Sequence, residues 1–411
     1  MLGYYSAWPF FLQVGLLFAI VSTPLFRSID SPPGRASNRI LALDGLRGLM
    51  ALAIFFHHTA IYHQYLQQGI WEYPPNGFYL YIGRCALGIF FMLTGYLFYG
   101  YILKTKGRPN WKKIFLGRAV RFLPVYWFLV LLVFIGVGVG TGWHLDVARH
   151  TLATQILRWL AGGVFPESPL NGYWRTSRIT MSVTWTLQYD WIFCVSLLVL
   201  AIPARWRWSG LIVPPLLMCA AASYVAFAPQ SEKKPLLCAV SIFMGMSIAG
   251  LKSIAPNLKI KRWQASLACV AIALLTFIPS PVLFQVLPVL LIGVAFLLVV
   301  LGADFFGLFG SRTARRFGNL SYGIYLLQGP VLAVMYSSRR LRGVELGSPL
   351  GHFAVSTASS ILLVLFAASS YLFIELPGME LGRKLFSREL RFREFLPVVV
   401  RRRLISEPTG D

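Results

Sequence analysis

The stretch Leu43-Asp-Gly-Leu-Arg-Gly-Leu-Met-Ala-Leu-Ala-Ile-Phe-Phe-His-His58 decides the architecture of this 411-residue chain. It lies in a mostly apolar segment, residues 42–62, and a helix needs about 20 such residues to cross a hydrocarbon core. Yet it carries Asp44, Arg47, His57 and His58. A charge at mid-bilayer costs at least about 2.5–3.5 kcal/mol on insertion scales, so ionisable groups inside a span are candidates for function. Arg47 and His58 are eleven positions apart. At about 100° per residue they fall within about 20° of one helical face, about 16 Å apart along the axis. His57 points about 100° away from that stripe.

The rest of the chain has the same character. Hydrophobic residues make up 56% and charged residues 13%, about half the charge of a soluble domain. The mean hydropathy is +0.64. A soluble globule, a disordered chain, a collagen and a secreted disulfide scaffold are excluded on these numbers. From residue 40 onward, about ten segments have the length and composition of spans: 42–62, 82–104, 119–140, 183–203, 209–228, 235–253, 264–280, 283–302, 317–337 and 353–375. An eleventh candidate covers 7–26. The expected fold is all-α, a polytopic transmembrane bundle of about 10 core helices plus an N-terminal one. Residues 1–39 read as an N-terminal extension, 40–376 as the membrane-embedded domain and 377–411 as a basic tail. Met1-Leu-Gly-Tyr-Tyr5 lacks the positive charge of a signal peptide, so the first helix is expected to be retained, its N-terminus outside.

The formal charge is +23, from 38 Lys and Arg against 15 Asp and Glu. On a soluble protein that would suggest nucleic acid. Here the basic residues cluster at the ends of apolar segments, as cytoplasmic loops require, and no nucleic-acid partner is expected. Lys104, Lys106, Arg108, Lys112, Lys113, Arg118 and Arg121 fall together with no acid among them. They and the basic tail face the cytoplasm together if the core has both ends inside. Arg339, Arg340 and Arg342 then face outside, against the rule. The longest outside loop, 141–182, has room for a short helix near 151–162. Cys85, Cys194, Cys219, Cys238 and Cys269 lie in apolar stretches without CxxC or Cys/His spacing; neither a disulfide nor a metal site is expected.

Asp190 is the one carboxylate well inside an expected span. If its helix enters from outside, seven residues of depth put it about 10 Å in, near the level of His58. A His58–Asp190 pair is therefore expected, with an ion pair to Arg84 or Arg47 as the other reading. Arg118 and Arg121 are three apart, on one helical face at the cytoplasmic boundary. They read as a clamp for phosphates, which the guanidinium fork suits, or as plain topology anchors. No P-loop, GxSxG or HExxH occurs.

These residues together resemble the acyltransferase 3 family of integral membrane O-acyltransferases, over roughly residues 40–385. The most specific part is the opening stretch, with the family's spacing of an arginine, ten residues and a histidine at Arg47 and His58. In family order follow Phe90-Phe-Met-Leu-Thr-Gly-Tyr-Leu97, then Arg118 and Arg121 with Pro124-Val-Tyr-Trp127, then Trp185-Thr-Leu-Gln-Tyr-Asp-Trp-Ile-Phe193. Leu320-Ser-Tyr-Gly-Ile-Tyr-Leu-Leu-Gln-Gly-Pro-Val331 and Phe373-Ile-Glu-Leu-Pro377 complete the series. This chain departs in having Gly88 where the family often has an acid, Asp190 for Glu, and Gln328 where His is usual.

The resemblance implies transfer of an acyl group, commonly acetyl, from cytoplasmic acyl-CoA to a hydroxyl of a cell-envelope saccharide or glycolipid, in a bacterial plasma (inner) membrane. Acyl-CoA would be the donor, with no tightly bound cofactor and no metal. His58 would be the general base, oriented by Asp190, with Arg47 in the same catalytic set. Arg118 and Arg121 would hold the donor phosphates. Trp185, Tyr322, Tyr325 and Gln328 are candidates for contacts to the substrate. Trp71, Tyr73, Trp143, Tyr173 and Trp174 would offer faces to a sugar, or serve only as interfacial aromatics. A transporter or flippase for an envelope glycan or small molecule is the competing class, its polar residues then forming a proton relay. A purely structural helper of a polysaccharide assembly is a third.

Overall fold

The computed structural model describes residues 3–30, 40–73, 77–276, 286–382 and 384. Among these it is helical: α1 (Trp8–Ser22), α2 (Leu41–Gln68), α3 (Gly77–Lys104), α4 (Trp111–Gly140), α5 (Arg149–Leu160), α6 (Thr176–Ile179) and α7 (Trp185–Leu200). Then come α8 (Ser209–Phe227), α9 (Gln230–Ile254), α10 (Arg262–Thr276), α11 (Val286–Leu301), α12 (Arg312–Ser337), α13 (Arg339–Gly347) and α14 (Pro349–Ser370). α14 continues through a π turn, Tyr371–Glu375, into a helix reaching Gly382. The tail beyond residue 384 and the meeting point of the expected spans 264–280 and 283–302 lie outside the described residues.

By length and composition α3, α4, α8, α9 and the continuous Pro349–Gly382 helix are able to cross a membrane, and α1, α7 and α11 are shorter apolar helices. α2 and α12, with 28 and 26 residues, are long enough but less uniformly apolar. They form the centre of the bundle and pack against each other along their length. His57, His63, Ser321 and Gln328 on these two helices are buried and therefore face protein, not lipid.

That central contact explains the glycines of the opening stretch. A Cβ on Gly48 would lie 2.5 Å from the Gly318 nitrogen, and one on Gly318 would lie 2.2 Å from the Asp44 carbonyl oxygen. Only glycine lets the two backbones approach so closely. The approach brings the Gly318 carbonyl to Arg47, whose Nε and Nη2 donate to it at 3.2 and 2.6 Å. α2, α4 and α12 run in one direction. Arg47 meets Gly318, His58 meets Gln328, and Tyr322 donates to the Phe122 carbonyl at 2.8 Å. The end where these helices begin is called proximal below, the other end distal.

The N-terminal extension is built into the bundle. Tyr5 donates to Gln64 at 2.8 Å at the distal end of α2. Gln13 in α1 donates to Ser356 and Thr357 of α14, each at 3.1 Å. At the proximal end Asp30 accepts from Arg316 Nε at 2.8 Å and from Arg312 Nε at 3.0 Å. The Arg316 hydrogen bonds, aided by Arg312, outweigh partial burial and hold the Asp30 carboxyl well below the usual carboxylate range.

The segment between α4 and α7 differs from the expected outside loop. α5 matches the predicted short helix, but the chain after it turns back into the bundle. Tyr126, midway along α4, donates to the Trp159 carbonyl at 2.9 Å, and Trp191 donates to the Gly162 carbonyl at 2.8 Å. A Cβ on Gly329, deep in α12, would lie 2.4 Å from the Ile179 carbonyl oxygen. Glu167 accepts hydrogen bonds from the Thr180 and Thr184 hydroxyls within this fold-back. Irregular backbone at membrane depth is tolerated where protein covers it; Thr180, Met181 and Val183 are all buried here.

Candidate active site

α7 consequently starts in the middle of the bundle, not at its outer surface, and this moves Asp190. Thr186, in its first turn, shares a 2.8 Å hydrogen bond with the Tyr325 hydroxyl of α12. Asp190 lies one turn, about 6 Å, further toward the proximal end. There it forms an ion pair with Arg118. The expected His58–Asp190 pair is not present: His58 Nδ1 instead meets Gln328 Oε1 at 3.1 Å. The other expected partners of Asp190 are also elsewhere. Arg47 is bound to Gly318, and the Arg84 guanidinium lies 5.9 Å from the Tyr73 ring.

Arg118 and Arg121 stand inside α4, which begins at Trp111, eight residues before the predicted start of that span. They line a cavity of about 550 Å³ between α2, α3, α4, α7 and α12. Lys113 and Arg121 at its rim are exposed, whereas the Arg118 side chain is only 12% accessible. Arg47 contributes to the wall on the α2 side. The Arg118 guanidinium also sits 5.1 Å from the centre of the Phe98 ring, an arrangement that favours a cation. Phe90, Phe91, Tyr101 and Phe122 make much of the remaining surface, and Thr186, Tyr322 and Tyr325 close the inner end. A basic rim over an apolar shaft suits an amphipathic ligand with an anionic head and a long, weakly polar arm.

Beyond Tyr325 lies the His58 layer. Gln328 is fully buried and its Nε2 donates to the Tyr325 carbonyl at 2.7 Å. This leaves Oε1 facing His58, where it accepts the Nδ1 proton. Assigned this way, the imidazole carries its lone pair on Nε2. His58 is half-buried. His57 is buried: its Nδ1 meets the Tyr79 carbonyl at 2.8 Å, and its ring fills the space left by Gly83. Of the other candidates, Tyr322 is committed to Phe122, and Trp185 packs edge-on against Tyr189 away from the cavity lining. At the distal end Trp71 packs on Tyr62 and Tyr65, while Trp174 is exposed and stacks with Arg178.

The roles of Gln328 and Thr186 were not readable beforehand. Their signal is positional: Gln328 is seventeenth in α12 as His58 is eighteenth in α2, a match visible only once the two helices are known to run in parallel.

The described residues thus form a polytopic helical bundle with a basic-rimmed apolar shaft that ends at Tyr325, one hydrogen-bonded layer short of the half-buried His58 imidazole. The family model for acyltransferase 3, described as an acyltransferase domain, matches residues 40–369. The chain belongs to that family, and it is a multi-pass membrane acyltransferase. No curated protein and no solved structure gives a match.

Proposed function

We propose that the protein transfers an acyl group, acetyl foremost, from acyl-CoA to a hydroxyl of a cell-envelope or exported saccharide or glycolipid. The observation that carries this reading is the continuity from the exposed cations through the aromatic shaft to Tyr325, one hydrogen-bonded layer from His58. In this reading the proximal end and the C-terminal tail are cytoplasmic, the membrane is a bacterial plasma membrane, and the acceptor arrives from the distal end.

The donor's phosphates bind Arg121 and Lys113 at the rim and Arg118 below them, as charge-assisted hydrogen bonds favour. The pantetheine arm runs along Phe90 and Phe98 and delivers the thioester near Tyr325. His58 Nε2 removes the acceptor's hydroxyl proton as its oxygen attacks the thioester carbonyl. The carbon–sulfur bond then breaks, the acyl ester leaves, and the thiolate takes the proton back from the imidazolium. Gln328 supplies the orientation that the sequence reading gave to Asp190. Asp190 instead neutralises Arg118 in a poorly solvated wall, so one arginine stands in position before the donor arrives.

The test is purified protein in nanodiscs with acetyl-CoA and a chemically deacetylated envelope polysaccharide, followed by thiol release. Thiol release that depends on the polysaccharide is expected. Arg121→Gln should raise the KM for acetyl-CoA at least about tenfold, the effect of losing a contact worth about 1.5–3 kcal/mol. An unchanged KM, or no acceptor-dependent thiol release, contradicts the reading.

A further inference from the structure

A second cluster of chemistry-bearing side chains lies at the distal end, remote from the shaft. We propose that His63, Glu345 and His352 form a binding site for one divalent first-row transition ion, with zinc as the natural probe, and that this ion clips α2, α13 and α14 together. The three residues come from three helices and are all buried, at 0%, 0% and 7% exposure. One ligating atom from each lies within 4.8 Å of the other two. His63 Nδ1 is 3.0 Å from Glu345 Oε1, and His352 Nδ1 converges on the same oxygen. Ligands of a tetrahedral zinc ion, each about 2.0–2.1 Å from the metal, lie about 3.4 Å from one another. Small side-chain rotations bring the trio to that spacing. Two imidazoles and a carboxylate are a donor set for zinc and its neighbours, not for calcium or magnesium.

Two observations favour an ion over a hydrogen-bonded trio. Glu345 is a fully buried carboxylate, and among the described residues its only ion-pair partners are the two histidines. Glu345 Oε2 is buried and has no hydrogen-bond partner. A hydrogen-bonded trio leaves that oxygen unsatisfied, which is unfavourable for a buried polar atom and more so for a charged one. A metal ion held by both carboxylate oxygens satisfies it and balances the charge. The surroundings are built as outer support for such a site. The Tyr4 ring stacks on His63 at 4.6 Å between centroids, Tyr4 donates to the Leu346 carbonyl at 2.9 Å, and Tyr336 donates to Glu345 Oε1 at 3.4 Å. The sequence offered no such motif, because the ligands are spread over residues 63, 345 and 352 and no cysteine takes part.

The experiment uses the full chain purified in detergent without a histidine tag. Elemental analysis should find about one zinc per chain. After chelation, Co²⁺ should bind with one equivalent, give visible absorption bands of low-symmetry coordination, and be displaced by zinc. His352→Ala and Glu345→Gln should each lose the bands. Wild-type protein that retains no metal and shows no cobalt bands overturns the proposal, as does either variant keeping one full equivalent. Should the variants fail to fold, wild-type protein loaded with Cu²⁺ and treated with ascorbate reports the location. Oxidation mapped to His63 and His352 is expected, and oxidation confined to the exposed His144 and His150 overturns the proposal. None of these readouts depends on acyl transfer.

Discussion

Replacing Gln328 by leucine tests whether His58 is an oriented base. Leucine fills a similar volume at a fully buried position, so the helix contact survives while the amide is lost. His58 Nδ1–H then loses the amide acceptor it has at 3.1 Å. Losing one such hydrogen bond is worth about 0.5–1.5 kcal/mol, which at 1.36 kcal/mol per tenfold corresponds to a kcat lower by about 2- to 13-fold. The KM for acetyl-CoA should stay unchanged, because Gln328 is not part of the donor cavity's lining. Gln328→His, the residue usual at this place in the resemblance, should retain much of the rate, since an imidazole acceptor is restored. The assay is steady-state thiol release per folded molecule, with folding checked by size exclusion. A Gln328→Leu protein with wild-type kcat, or one whose loss appears wholly in the donor KM, refutes the orientation argument.

Three further outcomes follow from the packing and the charges. Asp190→Asn should destabilise the fold by about 1–3 kcal/mol by leaving the half-buried Arg118 without its carboxylate, and adding Arg118→Gln should recover part of that loss. Effects that add to within about 0.5 kcal/mol in unfolding measurements would contradict coupling. Gly318→Ala should cost at least about 1–3 kcal/mol, because its Cβ would meet the Asp44 carbonyl oxygen at 2.2 Å; an unchanged Tm would contradict the close approach. Asp30→Asn should lower Tm at neutral pH, since the Asp30 pKa is depressed by Arg316 and Arg312. That stabilising difference should be full above the unfolded carboxylate value of about 3.9 and be lost as pH falls below it, through the depressed folded value. A difference that vanishes between pH 7 and pH 5 would contradict the assignment.

Much of the bundle was legible because periodicity and apolar length are local properties. The C-terminal end of α3, the position of α5 and the common face of Arg47 and His58 all follow from counting residues, whereas α3 begins five residues before its expected start. Asp190 was misjudged because depth is not local. Counting inward from an assumed surface fails when Glu167, Thr180 and Thr184 tie the preceding loop into the protein interior and α7 starts at mid-depth. Gly45 and Gly48 were visible as part of a motif, yet their purpose is contact with Phe309 and Gly318, which are about 265 residues away in sequence and close only after α2 and α12 pack. Gln328 was marked as a candidate, but its link to His58 needs the same parallel pairing. The His63, Glu345 and His352 cluster escaped for an equivalent reason.

The most direct test of the central claim is the rate of acyl transfer from acetyl-CoA by His58→Ala, set beside His57→Ala and wild type, each normalised to folded protein in nanodiscs. The account predicts that His58→Ala abolishes transfer while binding acetyl-CoA as the wild type does, because the imidazole lies beyond the donor cavity and supplies only the base. It predicts that His57→Ala keeps turnover and loses stability, because that ring is packed against Gly83 and bound to the Tyr79 carbonyl. Wild-type turnover in His58→Ala, or loss of turnover confined to His57→Ala, would contradict it.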